Sequence, residues 1–332
     1  MGQIEINHTG SGGGVVLSSD GTNLLLGGSA VGGGSPDLYA DNYHGSTTKP
    51  VASGEDAVAI GRQMTASGSR AFAAGGYNNT ASGTNAIAMG YATTASGDQS
   101  IAMGNGSQAT ISNSASIGYL SLAQGSQSVA LGNSRTGGTA SFAAVINNNS
   151  SSYGATGANS IAMGPSSKAT NSYAVAIGWS QTASGHQSVV LGGNSSTASG
   201  YNSFALGRMI TSSNTYSIGM GNDCTASQEA SIALGQGASS AVHGKLAHSG
   251  KKFNAVGDAQ GGTFVLLSDT TDATAEAMTT SNSTASATNQ IVAASDTCIT
   301  FSGTIVAMQN GAQAYGSWKI EGLLVNDGGT TT

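Results

Sequence analysis

Charge, aromatic rings, proline and cysteine are all scarce in this chain: of 332 residues 8% are charged and 5% aromatic, with three prolines and two cysteines. Each shortage removes a class of protein. Ten Lys and Arg against sixteen Asp and Glu leave a net charge of -6 and no basic footprint for a phosphate backbone, so nucleic acid is not an expected partner. Two isolated thiols, Cys224 and Cys298, cannot build a disulfide framework and read as free, partly buried side chains. No stretch approaches the about 18 apolar residues of a membrane helix or the succession of strands of an outer-membrane barrel. Met1 to Gly10 lacks the basic and apolar regions of a secretory signal, so neither membrane insertion nor export is expected. Lys245, Lys251 and Lys252 crowd one segment, yet three cations are fewer than the clusters that hold anionic lipid, and they read as a solvated junction.

Glycine, by contrast, occurs 51 times. It does not recur every third residue, which with so little proline excludes collagen. It recurs at a longer period. Ala-Val-Ala-Ile-Gly (57–61), Ala-Ile-Ala-Met-Gly (86–90), Ser-Ile-Ala-Met-Gly (100–104), Ser-Val-Ala-Leu-Gly (128–132) and Ser-Ile-Ala-Leu-Gly (231–235) are variants of one unit. The closing glycines are Gly61, Gly75, Gly90, Gly104, Gly118 and Gly132, then Gly164, Gly178, Gly192, Gly207, Gly221 and Gly235, in steps of fourteen or fifteen. The one longer gap, after Gly132, fits a degenerate coil around Phe142 to Ile146 plus an inserted loop, Asn147 to Ser152. A second signature, Ala-Ser-Gly, falls between these segments at Ala52, Ala66, Ala81, Ala95, Ala183 and Ala198. Glycines this frequent disfavour helix. Each unit therefore reads as strand, turn, strand, turn, and successive units stack at about 4.8 Å into an all-β solenoid of thirteen coils, roughly 60 Å long. Alternation in the five-residue segment puts the large apolar residues on one face and Ala on the other. The small Ala face suits close approach by another column, so lateral association is expected.

The flanks differ from the repeats. Residues 1–31 carry a hairpin signal, Val15 to Leu26 being two β-rich runs around Asp20-Gly21, and read as an attachment segment. Residues 32–51 read as a linker, 52–240 as the roll and 241–262 as a neck. Residues 263–332 read as a small β-sandwich with strands near 263–267, 273–279, 290–293, 299–308 and 315–325. So few strands imply completion by neighbouring chains or by sequence beyond residue 332.

The units Ser-Ile-Ala-Met-Gly and Ala-Ser-Gly resemble the YadA-like head repeat of trimeric autotransporter adhesins, over roughly residues 52 to 240. That resemblance implies a left-handed parallel β-roll, a homotrimer and adhesion. The flanks, with Leu17-Ser18-Ser19-Asp20-Gly21-Thr22 and Asn254-Ala255-Val256-Gly257-Asp258-Ala259-Gln260, are similar to structural proteins of tailed bacteriophages, especially marine ones. This second resemblance implies a fibre assembled in the host cytoplasm and carried on the virion. It would join other virion proteins through its N-terminal region and bind a host cell-surface glycan or protein. A bacterial adhesin head fragment and a glycan depolymerase are the alternatives.

Candidate chemistry is sparse. Asp269, Asp272 and Glu276 are the densest carboxylates, but they lie in a stretch that reads as a solvated turn, so no enzyme is expected. His243 and His248 flank Lys245 without a third ligand of suitable spacing, and nothing calls for a metal or cofactor. Gly244-Lys245 lacks the rest of a phosphate loop. Binding is better represented. Tyr91, Tyr119 and Trp179, with Arg62 and Arg208, follow closing glycines, and Tyr173, His186, Tyr201 and Tyr216 occupy the pair before a strand. Stacking aligns both sets into vertical stripes, which serve either contacts between subunits or stacking on sugar rings. Asn105, Asn133 and Asn222, in the first column, read as turn residues at positive φ.

Overall fold

The computed structural model describes residues 49–331 except 149, 273, 312 and 329, together with four short strands, Ile4–Ile6, Val15–Ser19, Leu24–Leu26 and Ser29–Val31. These four pair antiparallel in chain order, with Leu17 opposite Leu26 and Ser19 opposite Leu24. The stretch read as a linker lies outside the described residues up to position 48.

From Val51 onward the chain winds into a solenoid with two parallel sheets. One is built from the longer strands, such as Ile87–Tyr91 and Ile101–Asn105, and the other from two-residue strands, such as Thr94–Ala95 and Gln108–Ala109. Register is strict: Ile87 pairs with Ile101, Ala88 with Ala102, Met89 with Met103 and Gly90 with Gly104. The short-strand sheet has 14 strands, so there are fourteen coils where the closing glycines suggested thirteen. The extra coil carries Leu246–Ser249, whose Ser249 stands opposite Gly235; the apolar alternation persists there without its glycine. Thirteen steps of about 4.8 Å make the stack roughly 60 Å long. In the degenerate coil, Phe142–Ala144 pairs in register with both neighbours, and the inserted residues leave Thr136 opposite Ala155.

Two constraints fix this geometry. All twelve closing glycines have positive φ, from 69° at Gly132 to 140° at Gly192. At Gly90 a Cβ would also run into the backbone carbonyl of Gly104 in the next coil, so stacking at sheet distance requires the absent side chain. Asn105 and Asn222 instead end extended strands. The left-handed residues are their successors, Gly106 and Asp223, and beside Asn133 it is Gly132, so the expected Asn roles fall one position away.

The second constraint is the narrow interior. Ala59, Ala73, Ala88 and Ala102 from the long strands face Ala66, Ala81, Ala95 and Ala109 from the short ones, all buried. Serine fills the corners. The Oγ atoms of Ser128, Ser141, Ser160, Ser188 and Ser203 donate to a turn carbonyl three residues back at 2.6 to 2.8 Å. Ser107, Ser167 and Ser196 donate across to the closing-glycine carbonyl of the next coil. The alanines thus point inward, and the expectation that they meet a partner is reversed. The large residues, Ile87 and Met89, Ile101 and Met103, Val175 and Ile177, Phe204 and Leu206, form two columns on the outside, half-exposed or exposed.

The stretch expected as a neck, 241–262, begins inside the fourteenth coil, and its later part closes the stack. Gly261–Thr263 pairs antiparallel with Leu246–Ser249, covering the edge of the long-strand sheet. Gln260 covers the other edge: its Oε1 accepts from Ser239 N at 2.7 Å and its Nε2 donates to Ser239 O at 2.9 Å, as another coil would. The carboxylate of Asp258 holds the turn by accepting from the amides of Phe253, Asn254 and Ala255. Of the three lysines read as a solvated junction, Lys251 is exposed and the other two are engaged. Lys245 is largely buried over the Phe264 ring and Lys252 pairs with Asp223.

The expected sandwich is not formed among the described residues. Thr297–Met308 and Tyr315–Asp327 make a long hairpin joined by Thr330–Thr331 in a single three-stranded sheet. Leu267 and Thr279 make only an isolated antiparallel bridge, and residues 290–293 are not a strand. Between these two stretches Asn289 gathers a loop: its Nδ2 donates to Ser281 Oγ, Ser283 Oγ and Thr284 O and its Oδ1 accepts from Ser286 N, folding 281–289 tightly.

Two predictions follow from this packing. Gly219 takes the place of the inward alanine because Ile210 fills the corner, and a Cβ on Gly219 would meet Ile210 Cγ2. Gly219→Ala, although it restores the repeat's usual residue, is expected to destabilise by about 1–3 kcal/mol. Adding Ile210→Ser should recover part of that loss; an unchanged thermal midpoint for Gly219→Ala would contradict the packing. The amides of Asn254, then Ala255 and Phe253, hold the Asp258 carboxyl below the usual aspartate range. Its contribution to the cap is present above the ordinary aspartate pKa and lost as pH falls through the lowered folded value. Amide NMR shifts of residues 253–255 should titrate together in that acid range, and Asp258→Asn should abolish the titration.

Candidate binding surfaces

Strand register decides which aromatic residues meet. In the column after the closing glycine, Arg62 pairs with Tyr77 and Tyr77 with Tyr91; Asn105 then separates Tyr91 from Tyr119. The Arg62 guanidinium lies 5.0 Å from the Tyr77 ring centroid, and the Tyr77 and Tyr91 rings are 5.6 Å apart. Tyr77 was not singled out from sequence because it follows a doubled glycine, Gly75-Gly76, and a register shift brings it into the column. Trp179 pairs with Asn194 and has no aromatic neighbour, while Arg208 pairs with Asn222. The single stripe read from sequence is therefore a three-residue cluster, a lone Tyr119, and Trp179 beyond a run of shorter strands.

The corner before the long strand keeps its residues together. Tyr173, His186, Tyr201 and Tyr216 sit on four consecutive coils with ring centroids 5.7, 5.2 and 6.3 Å apart. His186 and Tyr201 are stacked at 16°, and the rings at either end stand perpendicular to them, at 86° and 88°. Corner backbone bonds such as Tyr216 N to Tyr201 O, 2.9 Å, carry the ladder from coil to coil.

The remaining candidates do not converge. Asp269 and Glu276 line an open depression of about 460 Å³ with Ser268 and Thr279, whereas Asp272 sits in an exposed turn where the hydroxyl and then the amide of Thr274 lower its pKa. His243 Nδ1 sits 3.1 Å from Thr280 O at a corner, while His248 lies on the outer face of the last coil opposite Leu234. The described residues contain no group of three His, Cys, Asp or Glu that could hold a metal ion. Among the described residues no helix is long and apolar enough to cross a membrane. Cys224 is buried, its Sγ 3.2 Å from Gly235 O, while Cys298 is exposed instead of partly buried.

Six stretches, 52–78, 81–107, 112–134, 155–180, 183–208 and 212–238, match the family model described as YadA head domain repeat (2 copies). These stretches of the solenoid carry YadA head domain repeats. The matches skip 135–154, where the insertion lies, and stop before the fourteenth coil, although the solenoid's parallel pairing continues through both. No curated protein sequence matches the chain.

The contact in the first column can be measured. A double-mutant cycle of Arg62→Ala and Tyr77→Ala is expected to give a coupling of about 0.5–1 kcal/mol in thermal or chemical unfolding, as for an exposed cation over a ring. Strict additivity would show that the two side chains do not interact.

Proposed function

We propose that the chain is a homotrimeric adhesive fibre without catalytic activity, in which three solenoids with the left-handed winding of YadA-like heads pack side by side. The outward apolar face carries this reading. Two columns of Ile, Val, Phe, Leu and Met, interrupted at Ala74, Ala115 and Ala144, run along the stack in register, because the inward position of the long strands is filled by Ala in most coils. At roughly 60 Å by 10 Å the stripe is on the order of 600 Å² in projection, the upper end of what a monomer usually exposes. Ranged on three chains, these columns would form a shared core and leave the corners outward, and three identical surfaces per fibre would add avidity.

Within that reading, the flanking segments support a bacteriophage virion fibre, on the tail or the capsid. It would be assembled in the host cytoplasm, fixed to other virion proteins by the N-terminal region, and would meet the host surface with the roll and C-terminal module. The head repeats themselves equally support a bacterial surface adhesin, and labelling of intact particles with antibody to the chain separates the two.

Sedimentation equilibrium tests the assembly. The wild-type chain is expected at three times its monomer mass, and Met103→Glu with Leu206→Glu, both on the outer columns, at one. A monomeric wild-type chain would overturn the proposal.

A further inference from the structure

We infer that the corner ladder Tyr173, His186, Tyr201 and Tyr216 is a binding strip for a linear, uncharged polysaccharide running along the solenoid axis. This rests on the adhesive reading above and names its ligand class.

The strip is built by an alternation within the corner pair. His186 and Tyr201 are the first of the two corner residues, while Tyr173 and Tyr216 are the second. That change of position accounts for the geometry: equivalent positions stack at 16°, and each switch turns the next ring perpendicular. The end rings, Tyr173 and Tyr216, are each about half exposed, 52% and 51%. The central pair is self-stacked and presents its edges and polar tips.

Holding the end rings there has a conformational cost. Tyr173 and Tyr216 have φ of 59° and 56°, at a position that other coils fill with Asn85, Asn113, Asn159 and Asn202 and also with Arg70, Gln99, Gln127, Ala140 and Ala230. Asn tolerates the left-handed region, whereas a bulky ring there is an outlier, and strain of that kind gathers where a site needs it.

The chemistry around the rings selects the ligand. Ser172, Gln187, Asn202, Asn214 and Thr215 supply neutral donors and acceptors, and no Lys, Arg, Asp or Glu occupies the corner pair on these four coils; Glu229 is first met on the next. Sugars present apolar C–H faces to aromatic rings and hydroxyls to neutral polar groups. The two end rings, Tyr173 and Tyr216, lie three coils or about 14 Å apart along the axis, so a ligand that touches both must be an extended chain of several sugar units. With no cation in the corner and a net charge of -6, an anionic polymer would be repelled.

Affinity electrophoresis of the native assembled protein through gels containing dextran, mannan, mixed-linkage β-glucan, alginate or hyaluronan tests this. At least one neutral polymer is expected to retard the wild-type protein, and the two acidic ones are not. Tyr173→Asn with Tyr216→Asn installs the residue other coils use and so keeps the fold. It should weaken the apparent Kd on the order of ten-fold, the loss of about one aromatic contact per ring; Tyr201→Ala should do likewise. Retardation by no neutral polymer, retardation by acidic polymers alone, or equal retardation of the Asn variant would overturn the strip. So would dissociation of the assembly by Tyr201→Ala, which would place the ladder between subunits. The oligomeric mass of the same samples separates the failures: a trimer that binds nothing removes the strip alone, and a monomer removes the adhesive fibre.

Discussion

The width of the coil interior governs this molecule. Two sheets of backbone close around a space that admits Ala from one side and Ala or Ser from the other, and little else. Where a larger residue intrudes, the structure yields beside it, as Gly219 does beside Ile210. A core of that kind buries little apolar area per coil. Stability then depends on the ladders between coils and on serine hydroxyls that satisfy turn carbonyls, each worth on the order of 1 kcal/mol. The large side chains are excluded from the inside and must lie outside. A solenoid that can stand as a column is for the same reason one that exposes an apolar stripe, and lateral assembly is the natural resolution.

The corners follow from the same economy of space. Three residues of positive φ in most coils, such as Tyr173, Gly178 and Ser180, turn the chain sharply enough to return it in about fourteen residues, and the non-glycine side chains among them sit at the corners. Because register is exact from one coil to the next, any residue type repeated at a corner becomes a vertical row. The sequence uses these rows for rings in some coils and for Asn, Gln or Ser in others, so surface chemistry varies while the backbone does not.

A repeated structure must also end, and here the end is made by imitation. Gln260 presents one donor and one acceptor to Ser239, and Gly261–Thr263 pairs against the last long strand, so both open edges meet partners that are not coils. Beyond this cap the hairpin Thr297–Met308 and Tyr315–Asp327 sets Ile299, Phe301, Ile305, Trp318, Ile320 and Leu324 on one face of a single layer.

Strand order, coil length, the degenerate coil and the rows of side chains were legible in the sequence, because a parallel stack converts sequence period directly into spatial neighbours. The corner ladder was legible for that reason too. Which face of the long strand looks inward was not: alternation divides Ala from Ile and Met but assigns neither side, and only the closed coil, too narrow for the larger set, decides it. The fourteenth coil and Tyr77 were hidden because Ser249 replaces one closing glycine and Gly76 duplicates another. The single-layer C-terminal sheet was hidden because 273–279 and 290–293 carry strand-like residues that pair with no neighbouring strand beyond the single bridge at Thr279, and pairing over such distances is not recorded in any periodicity.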